Sequence, residues 1–276
     1  MLNNFYIEDH VKNALKEDIG FGDITTESLA SDTDVLSAEL NTREDGILAG
    51  CDVFKMVFKI LSDDVKIKFY FKDGDKIKKG DKIATLNGPA KALLMGERVS
   101  LNYIQRMSGI ATETHKYQEA IGDLKAKIVD TRKTTPNFRA FEKYSVKVGG
   151  GALHRFNLSD CAMIKDNHIR LAGSITKAVE KLRKNISHAH KIEVECDTLE
   201  QVQEAVKCGV DIIMLDNMSL DNMKKAVQII GNNAIIEASG NVSLASIKDI
   251  ALCGVDIISS SAIVAKAPTL DLAFDM

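Results

Sequence analysis

Hydrophobic and polar residues follow one pattern up to about residue 105 and a different pattern beyond it. In the first part, "SAELNTREDGILAG", "VKIKFYFKDGDKI" and "GDKIATLNG" contain alternating stretches punctuated by Asp-Gly, Lys-Gly and Asn-Gly, which predict short strands joined by turns. The first twenty residues and the segment beginning "GPAKALLMGERV" carry apolar residues at three- and four-residue steps, which predict helices. We therefore expect an N-terminal domain of mixed helices and strands.

From about residue 126 the chain repeats one unit, a short apolar run, a polar tip and an amphipathic helix. The six predicted strands are "KAKIVDTRK", "DCAMIKDNH", "KIEVECD", "VDIIMLDN", "AIIEASG" and "VDIISSS". Capping residues precede four predicted helices, namely Ser174, Thr198, Ser219 and Ser243. Buried strands that alternate with amphipathic helices are typical of parallel βα units.

An internal repeat supports this interpretation. The segments "TLEQVQEAVKCGVDIIMLDN" and "SLASIKDIALCGVDIISSSA" lie 45 residues apart and share the whole "CGVDII" junction. Repetition of one βα unit favours a barrel, although an open doubly wound sheet is also compatible with it. In such barrels the functional groups lie at the C-terminal ends of the strands.

Polar side chains therefore meet at one edge of the predicted sheet. The strand-end candidates are Asp130, Arg132, Lys133, Lys165, Asp166, Asn167, Glu195, Asp216, Ser239 and Ser259 to Ser261. This convergence predicts an active site.

Composition limits what that site binds. The chain has 276 residues, is 45% hydrophobic and carries a net charge of −3, so we expect neither nucleic-acid nor membrane binding. Its five cysteines are widely spaced and lack a CxxC pair, which favours a reduced cytoplasmic protein without structural zinc. No apolar run is as long as a membrane span.

The cations nevertheless cluster locally. Arg132, Lys133, Arg155 and Lys165 are predicted to bind anions, because Arg grips carboxylate or phosphate bidentately and Lys acts as a point charge. Glycines at 149–151 would let backbone amides approach an anion. For Arg139, Lys143 and Lys147, a solvated helix face is the favoured interpretation.

Carboxylates and small polar residues complete the predicted site. Glu195 and Asp216 opposite several cations suit a magnesium ion that bridges to phosphates, or contacts to ribose hydroxyls. "EASGN" and "ISSSA" end the last two strands, where βα barrels often bind phosphate. The edge of the sheet is thus suited to a polyanionic small molecule that carries phosphate and carboxylate groups.

Several motifs together resemble the quinolinate phosphoribosyltransferase family. They are "EDIGFGDITTE", "ERVSLNYIQRMSGIAT", "DTRKTTP", "EKYSVKVGGG", "HRFNLSD", "IKDNHI", "IEVECD", "MLDN" and "EASGN". The resemblance spans nearly the whole chain. It implies an α/β plus α+β fold, with an N-terminal open-faced β-sandwich domain (residues 1–105) followed by an incomplete parallel α/β barrel of about six strands (residues 106–276), whose last residues pack back on the first domain.

The same resemblance implies function and site residues. The expected activity transfers the phosphoribosyl group of phosphoribosyl pyrophosphate to quinolinate with decarboxylation, in a cytoplasmic homodimer or assembly of dimers with shared active sites. Arg98 from the partner subunit, together with Arg132, His154, Arg155 and Lys165, is expected to hold the dicarboxylate. Lys133 is expected to contact pyrophosphate or the sugar, and Glu195 and Asp216 the ribose and magnesium. Ser239, Gly240, Ser259 and Ser260 are expected to bind the 5′-phosphate, and Lys133, Lys165, Glu195 and Asp216 are the expected catalytic residues.

One segment departs from the family pattern. Family members carry glycine and then Thr-His after the last strand, whereas "SSSAIVAK" places Ser261 at the glycine position and Val264 and Ala265 at the Thr-His positions. A histidine contact to pyrophosphate is therefore expected to be absent.

Two alternatives remain open at this point. Lys165, at a strand end and near other cations, would suit a Schiff-base lyase on the same barrel. A degenerate barrel that binds a phosphometabolite without turnover would also be compatible with "SSSAIVAK".

Overall fold

A computed structural model describes residues 2–276. In chain order its elements are α1 (Asn4–Ile19), α2 (Ile24–Leu29), β1 (Val35–Thr42), β2 (Gly46–Ile47), α3 (Cys51–Leu61), β3 (Lys66–Phe69), β4 (Lys76–Ile77), β5 (Lys82–Pro89), α4 (Ala90–Ile121), β6 (Lys127–Val129), α5 (Arg139–Val148), β7 (Ala162–Ile164), α6 (Asp166–Ala172), α7 (Ile175–Arg183), β8 (Ile192–Cys196), α8 (Leu199–Lys207), β9 (Ile212–Asp216), α9 (Leu220–Ile230), β10 (Ile235–Ser239), α10 (Ile247–Leu252), β11 (Ile257–Ser259), α11 (Ala262–Ala265) and β12 (Leu272–Asp275). They divide into two compact units.

The first unit comprises the chain up to His115, together with Ala140–Gly150 and Ala267–Met276. Its main sheet has the order β12-β1-β5-β3, and every neighbouring pair is antiparallel. Along β1, Ala38, Leu40 and Thr42 are buried while the residues between them are not. This alternation leaves one face of the sheet open, as the family resemblance implies for an open-faced sandwich.

Helices cover the apolar face of that sheet. Fully buried residues of this core include Leu40, Phe54, Phe58, Ile83, Leu93 and Ile104. In α3 the buried positions Val53, Phe54, Val57 and Phe58 repeat at four-residue steps, which places them on one helix face. Burial of this apolar face, rather than intrinsic helix propensity, is the main source of its stability.

The second unit comprises Lys116–Arg139 and Gly151–Lys266. Its six strands are all parallel, in the order β7-β8-β9-β10-β11-β6, and Ala152 makes a further parallel bridge to Val129 at the end of β6. Within residues 2–276, β7 and β6 do not pair with each other. The sheet is therefore an incomplete parallel α/β barrel, and the predicted fold class is confirmed.

The internal repeat has a structural explanation. Gly209 and Gly254 adopt positive φ directly after α8 and α10, where a left-handed residue ends a helix. The aspartate that follows each glycine then accepts a hydrogen bond from the neighbouring strand, Asp211 from the Ile192 amide at 2.8 Å and Asp256 from the Ile236 amide at 2.9 Å. "CGVDII" thus ends one helix and fixes the start of two strands.

Two local predictions were wrong. Ser243 does not cap a helix directly, because α10 begins at Ile247; Ser243 instead closes a turn, and its carbonyl accepts from the Ile247 amide at 3.0 Å. The predicted Asn-Gly turn at Asn87-Gly88 lies inside β5, where Gly88 pairs with Leu36. The caps at Ser174, Thr198 and Ser219 are confirmed, since each side chain accepts a hydrogen bond from the helix's first turn.

Charged residues of α5 also differ from expectation. The Lys143 side chain is only 2% exposed, so the predicted solvated face is wrong at that position, whereas Lys147 is exposed.

No helix among the described residues is both long and apolar enough to cross a bilayer.

Candidate active site

A cavity of about 720 Å³ lies in the second unit, at the carboxyl ends of the parallel strands. It is lined by Thr131, Arg132, Lys133, His154, Arg155, Met163, Lys165, Glu195, Met214, Asp216, Asn217, Glu237, Ser239, Gly240, Asn241, Val242, Ser259, Ser260, Ser261, Ala262 and Lys266. All six strands contribute, because parallel strands end at the same edge of the sheet. The structure therefore brings together the expected site residues of this unit.

Arg132 and Arg155 form the cationic side of the cavity. Burial and the neighbouring Arg155 and Arg139 lower the pKa of Arg132 below its ordinary value, and its Nε is buried without a hydrogen-bond partner in the described chain. Arg155 is fixed by hydrogen bonds to the Cys161 carbonyl at 2.9 Å and to the Met163 sulfur at 3.3 Å. Cations that repel one another and an unused buried donor are the features expected of an anion site.

Arg139 holds the loop that carries Arg132, a role that the sequence did not indicate. Its guanidinium donates to the Thr134 hydroxyl at 2.9 Å, the Phe156 carbonyl at 3.0 Å and the Arg132 carbonyl at 3.4 Å. Arg139 is therefore a scaffold residue rather than part of a solvated helix face.

Lys165 and Glu195 form a direct ion pair between the ends of β7 and β8. The Lys165 side chain is partly exposed, whereas Glu195 is mostly buried. Both residues are expected to contact substrate. In this structure each neutralises the charge of the other. Lys133 is exposed, and only its backbone amide is held, by the Thr131 hydroxyl at 3.0 Å.

A buried acid–imidazole cluster lies beneath the edge of the sheet. His154 Nε2 is 3.5 Å from a Glu193 oxygen and 3.4 Å from a Glu237 oxygen. Burial would lower the pKa of His154, but hydrogen bonds to Glu193 and Glu237 outweigh it and raise the pKa to about 10. Burial also raises the pKa of Glu193. The cluster therefore keeps a proton at the contacts between Nε2 and the carboxylates above neutral pH.

The second ring nitrogen of His154 is also in use. The Arg155 amide donates to Nδ1 at 2.7 Å, a contact that opposes a second ring proton. The backbone is held as well, because Asp130 accepts from the His154 amide at 2.9 Å. With both nitrogens engaged, His154 contributes to the field in the cavity rather than donating directly into it.

The cluster has the composition of a metal site, but its geometry indicates otherwise. One ligand atom from each of His154, Glu193 and Glu237 lies within 4.8 Å of the others. The imidazole Nε2 lies between the two carboxylates, close to one oxygen of each, so it occupies the place between them that a metal ion would take. Magnesium was predicted at a different pair, Glu195 and Asp216, which both line the cavity.

The ends of β9 and β10 form a tight polar turn. Asn217 and Asn241 adopt positive φ, and the side-chain Nδ2 of Asn241 donates to the Asn217 side-chain oxygen at 3.0 Å. The side-chain Nδ2 of Asn217 donates in turn to an Asp216 carboxylate oxygen at 2.8 Å. Gly240 is required here, because a Cβ would lie 2.2 Å from that Asn217 oxygen and φ is +94°.

Asn217 and Asn241 line the cavity, yet the sequence analysis did not select them. The available signal was their position, each one or two residues beyond a strand, together with the tolerance of asparagine for positive φ. Glu237 and Lys266 were missed too. Glu237 lies two positions before the strand end, and Lys266 follows the last short helix.

Other sequence-based candidates lie outside the cavity lining. Arg98 lies on α4 in the first unit, and Asp166 and Asn167 form the exposed first turn of α6. The glycines at 149–151, which were expected to bring backbone amides close to an anion, do not line the cavity. Gly149 instead permits close packing on α4, because a Cβ there would lie 2.3 Å from the Ala111 carbonyl oxygen.

Comparisons with known proteins agree with this geometry. The family model of the quinolinate phosphoribosyl transferase N-terminal domain matches residues 23–108, and that of its C-terminal domain matches residues 110–275. A probable nicotinate-nucleotide pyrophosphorylase [carboxylating] of Synechocystis is 45% identical over 98% of this chain and 92% of its own length. The Bacillus subtilis protein of the same name is 43% identical over 100% and 92%.

A solved structure extends the likeness to three dimensions. NadC from Streptococcus pyogenes superimposes with a TM-score of 0.97 at 42% identity, covering 100% of this chain and 98% of that one. The order of elements, the cavity at the strand ends and both family models lead to one conclusion. The chain belongs to the quinolinate phosphoribosyltransferase family.

Proposed function

We propose that this protein is a nicotinate-nucleotide pyrophosphorylase (carboxylating) of NAD biosynthesis. It converts quinolinate and phosphoribosyl pyrophosphate to nicotinate mononucleotide, pyrophosphate and carbon dioxide. The observation that carries the proposal is the cationic side of the cavity, where Arg132 keeps a buried, unused donor beside Arg155. A ligand with two adjacent carboxylates would supply the missing acceptors.

The dicarboxylate binds at Arg132, Arg155 and Lys165 in this proposal. Lys165 exchanges its ion pair with Glu195 for a substrate carboxylate, and Arg98 of a partner subunit completes the pocket. His154 positions its neighbour Arg155 rather than contacting the substrate itself, since its Nδ1 accepts from the Arg155 amide and its Nε2 faces Glu193 and Glu237. The planar guanidinium groups of Arg132 and Arg155 orient quinolinate so that its ring nitrogen is positioned to attack the sugar.

The phosphoribosyl group binds at the ends of β10 and β11. Ser239 and Gly240, with Ser259 and Ser260, receive the 5′-phosphate. The Ser259 hydroxyl oxygen is buried without a hydrogen-bond partner in the described chain, which fits a site that awaits a ligand. Lys133, exposed at the edge of the cavity, neutralises the leaving pyrophosphate.

Magnesium fits the carboxylates on this side. Mg²⁺ usually takes one or two protein carboxylates and completes its shell with water and substrate phosphates. Asp216 and Glu195 would hold it, and the Asn217 side chain orients Asp216. When bound, the ion neutralises charge on the pyrophosphate.

The bond changes then follow from charge. The bond between the anomeric carbon and pyrophosphate breaks with its electron pair on oxygen, and Glu195 and Asp216 stabilise the positive charge that develops on the sugar. The pyridine nitrogen forms the new bond with its lone pair. The adjacent carboxylate leaves as carbon dioxide, and the ring carbon keeps the electron pair, stabilised by the cationic nitrogen, before it takes up a proton.

The same family membership supports a cytoplasmic homodimer, or an assembly of dimers.

The Schiff-base alternative loses support, because an amine that attacks a carbonyl must be neutral whereas Lys165 is in direct contact with the Glu195 carboxylate. Borohydride trapping with a carbonyl substrate should therefore leave no adduct on Lys165.

One assay tests the proposal. Purified protein with quinolinate, phosphoribosyl pyrophosphate and magnesium should yield nicotinate mononucleotide and carbon dioxide in equal amounts. Nicotinate, which lacks one carboxylate, would leave buried cations unpaired, so it should react roughly 10⁴-fold less efficiently. Ligand binding without turnover would instead support the phosphometabolite-binding alternative, and equal use of nicotinate would contradict the assignment of the cationic side.

A further inference from the structure

The last loop of the barrel contains a cation that has no assigned role. The residues at 264 and 265 cannot bind an anion through their side chains: Val264 is buried and apolar, and Ala265 is exposed but does not line the cavity. Lys266, the next residue, does line the cavity. Its backbone is fixed at the end of α11, since its amide donates to the Ala262 carbonyl at 3.1 Å.

The Lys266 ammonium is free within the part of the chain that the structure describes. It makes no side-chain hydrogen bond or ion pair there, whereas Lys165 in the same cavity is held by Glu195. An exposed, unpaired lysine at the wall of a cavity keeps its charge available for a ligand.

The strand order shows which part of the cavity Lys266 faces. β11 lies between β6 and β10 in the sheet, so the loop after β11 lies between the loop that carries Arg132 and Lys133 and the turn formed by Ser239 and Gly240. In the function proposed above, Lys133 of the first loop neutralises the pyrophosphate and Ser239 and Gly240 of the second receive the 5′-phosphate, whereas Arg132 contacts the dicarboxylate. The dicarboxylate candidate Lys165 lies at the end of β7, at the far edge of the sheet.

We propose that Lys266 binds the phosphate oxygens of phosphoribosyl pyrophosphate and thereby determines affinity for that substrate. This inference rests on the proposed function, and it names the cation that the last loop supplies through its side chain. A flexible ammonium suits this task, because it acts as a point charge and can follow the oxygens as pyrophosphate leaves.

The test compares substitutions of Lys266 with a matched surface lysine. Lys266→Ala and Lys266→Gln remove the charge, and Lys266→Arg keeps it. Lys248→Ala is the control, because Lys248 is an exposed lysine on α10 that does not line the cavity. None of these exposed positions contributes a buried side chain, so all four variants should fold, which thermal unfolding checks.

The Ala and Gln variants lose one charged contact, so KM for phosphoribosyl pyrophosphate is expected to rise about tenfold. The Kd of inorganic pyrophosphate, measured by calorimetry, is expected to rise by about the same factor. KM for quinolinate should stay within about twofold of the wild type, and Lys266→Arg should restore most of the affinity. An equal rise in both KM values, or values for Lys266→Ala that match Lys248→Ala, would overturn the inference.

The two readouts separate this inference from the function on which it rests. If the wild type turns over quinolinate and Lys266→Ala does so with unchanged constants, the function stands and the role of Lys266 is refuted. If the wild type binds pyrophosphate through Lys266 but forms no nicotinate mononucleotide, the anion contact stands and the function fails. Absence of pyrophosphate binding by the wild type would overturn the role of Lys266 directly.

Discussion

Arg155, a proposed substrate contact, is held in place by its neighbours within the chain. Its two terminal nitrogens are fixed by Cys161 and Met163, so little rotamer entropy remains to be lost on binding. We expect Arg155→Ala to lower kcat/KM for quinolinate about ten- to a hundredfold, from the loss of roughly 1.5–3 kcal/mol per charged hydrogen bond. Steady-state kinetics on the purified variant measures this.

Two controls sharpen the Arg155 experiment. Arg155→Lys keeps the charge but not the planar fork, so it should recover only part of the loss. Arg170→Ala removes an exposed arginine that does not line the cavity and should leave kcat/KM unchanged. Wild-type kinetics in Arg155→Ala would show that the residue does not contact the substrate.

The His154 cluster predicts how stability depends on pH. The folded-state pKa of His154 is raised to about 10, and that of Glu193 is raised as well. A group with a raised pKa binds its proton more tightly in the folded chain than in the unfolded chain, where the pKa of histidine is near 6.5. The resulting stabilisation is fully present below the pKa of the unfolded chain, and it is lost as pH rises through the pKa of the folded chain. Between pH 7 and 10 the wild type should therefore lose roughly 1–3 kcal/mol more unfolding free energy than His154→Gln.

Urea unfolding at several pH values measures that difference directly. Titrating groups that are remote from His154 are common to both proteins, so their contributions cancel in the comparison, and the difference reports on the cluster of His154, Glu193 and Glu237. Parallel curves for the wild type and His154→Gln would mean that the cluster holds no extra proton above neutral pH.

At the scale of elements, the helix caps test how the βα units begin. Thr198 and Gln201 form a reciprocal capping box at the start of α8, whereas Ser243 closes a turn that begins four residues before the first residue of α10. Thr198→Ala should cost about 1 kcal/mol of stability. Ser243→Ala, an equally exposed change, should cost less than half of that in the same urea titration, and a larger effect at Ser243 would contradict the observed helix start.

The same elements show what the sequence could and could not predict. All six parallel strands were predictable, because β8, β9 and β10 are buried along nearly their whole length and appear as continuous apolar runs. The strand-end residues followed from that geometry. The acid–imidazole cluster did not, because it depends on which residues face each other across strands far apart in sequence.

Local turn chemistry was the second source of error. Asn87-Gly88 has the composition of a turn, yet pairing with β1 keeps it extended, so tertiary contacts override local preference. Likewise the charge of Lys143 suggested a solvated position, but the structure buries it on α5. Both errors arose where long-range packing decided the outcome.

At the scale of the whole molecule, the decisive prediction concerns Arg98. It is exposed on α4 and does not line the cavity formed by its own second unit, although the family resemblance assigns it to substrate. If it acts from a partner subunit, two inactive variants should complement each other. We expect Arg98→Ala and Glu195→Gln to be inactive alone and mixed dimers, purified with two tags, to recover about half of wild-type activity, because one of two sites is intact.

The control for complementation uses two residues of one cavity. Arg132 and Glu195 both line the cavity of the same chain, so a mixed dimer of Arg132→Ala and Glu195→Gln contains one defect in each site and should stay inactive. Recovery in both mixtures would indicate contaminating wild type or residual activity of the variants rather than sharing. Inactive mixed dimers of Arg98→Ala and Glu195→Gln, or a wild type that sediments as a monomer while active, would show that Arg98 does not act from a partner subunit.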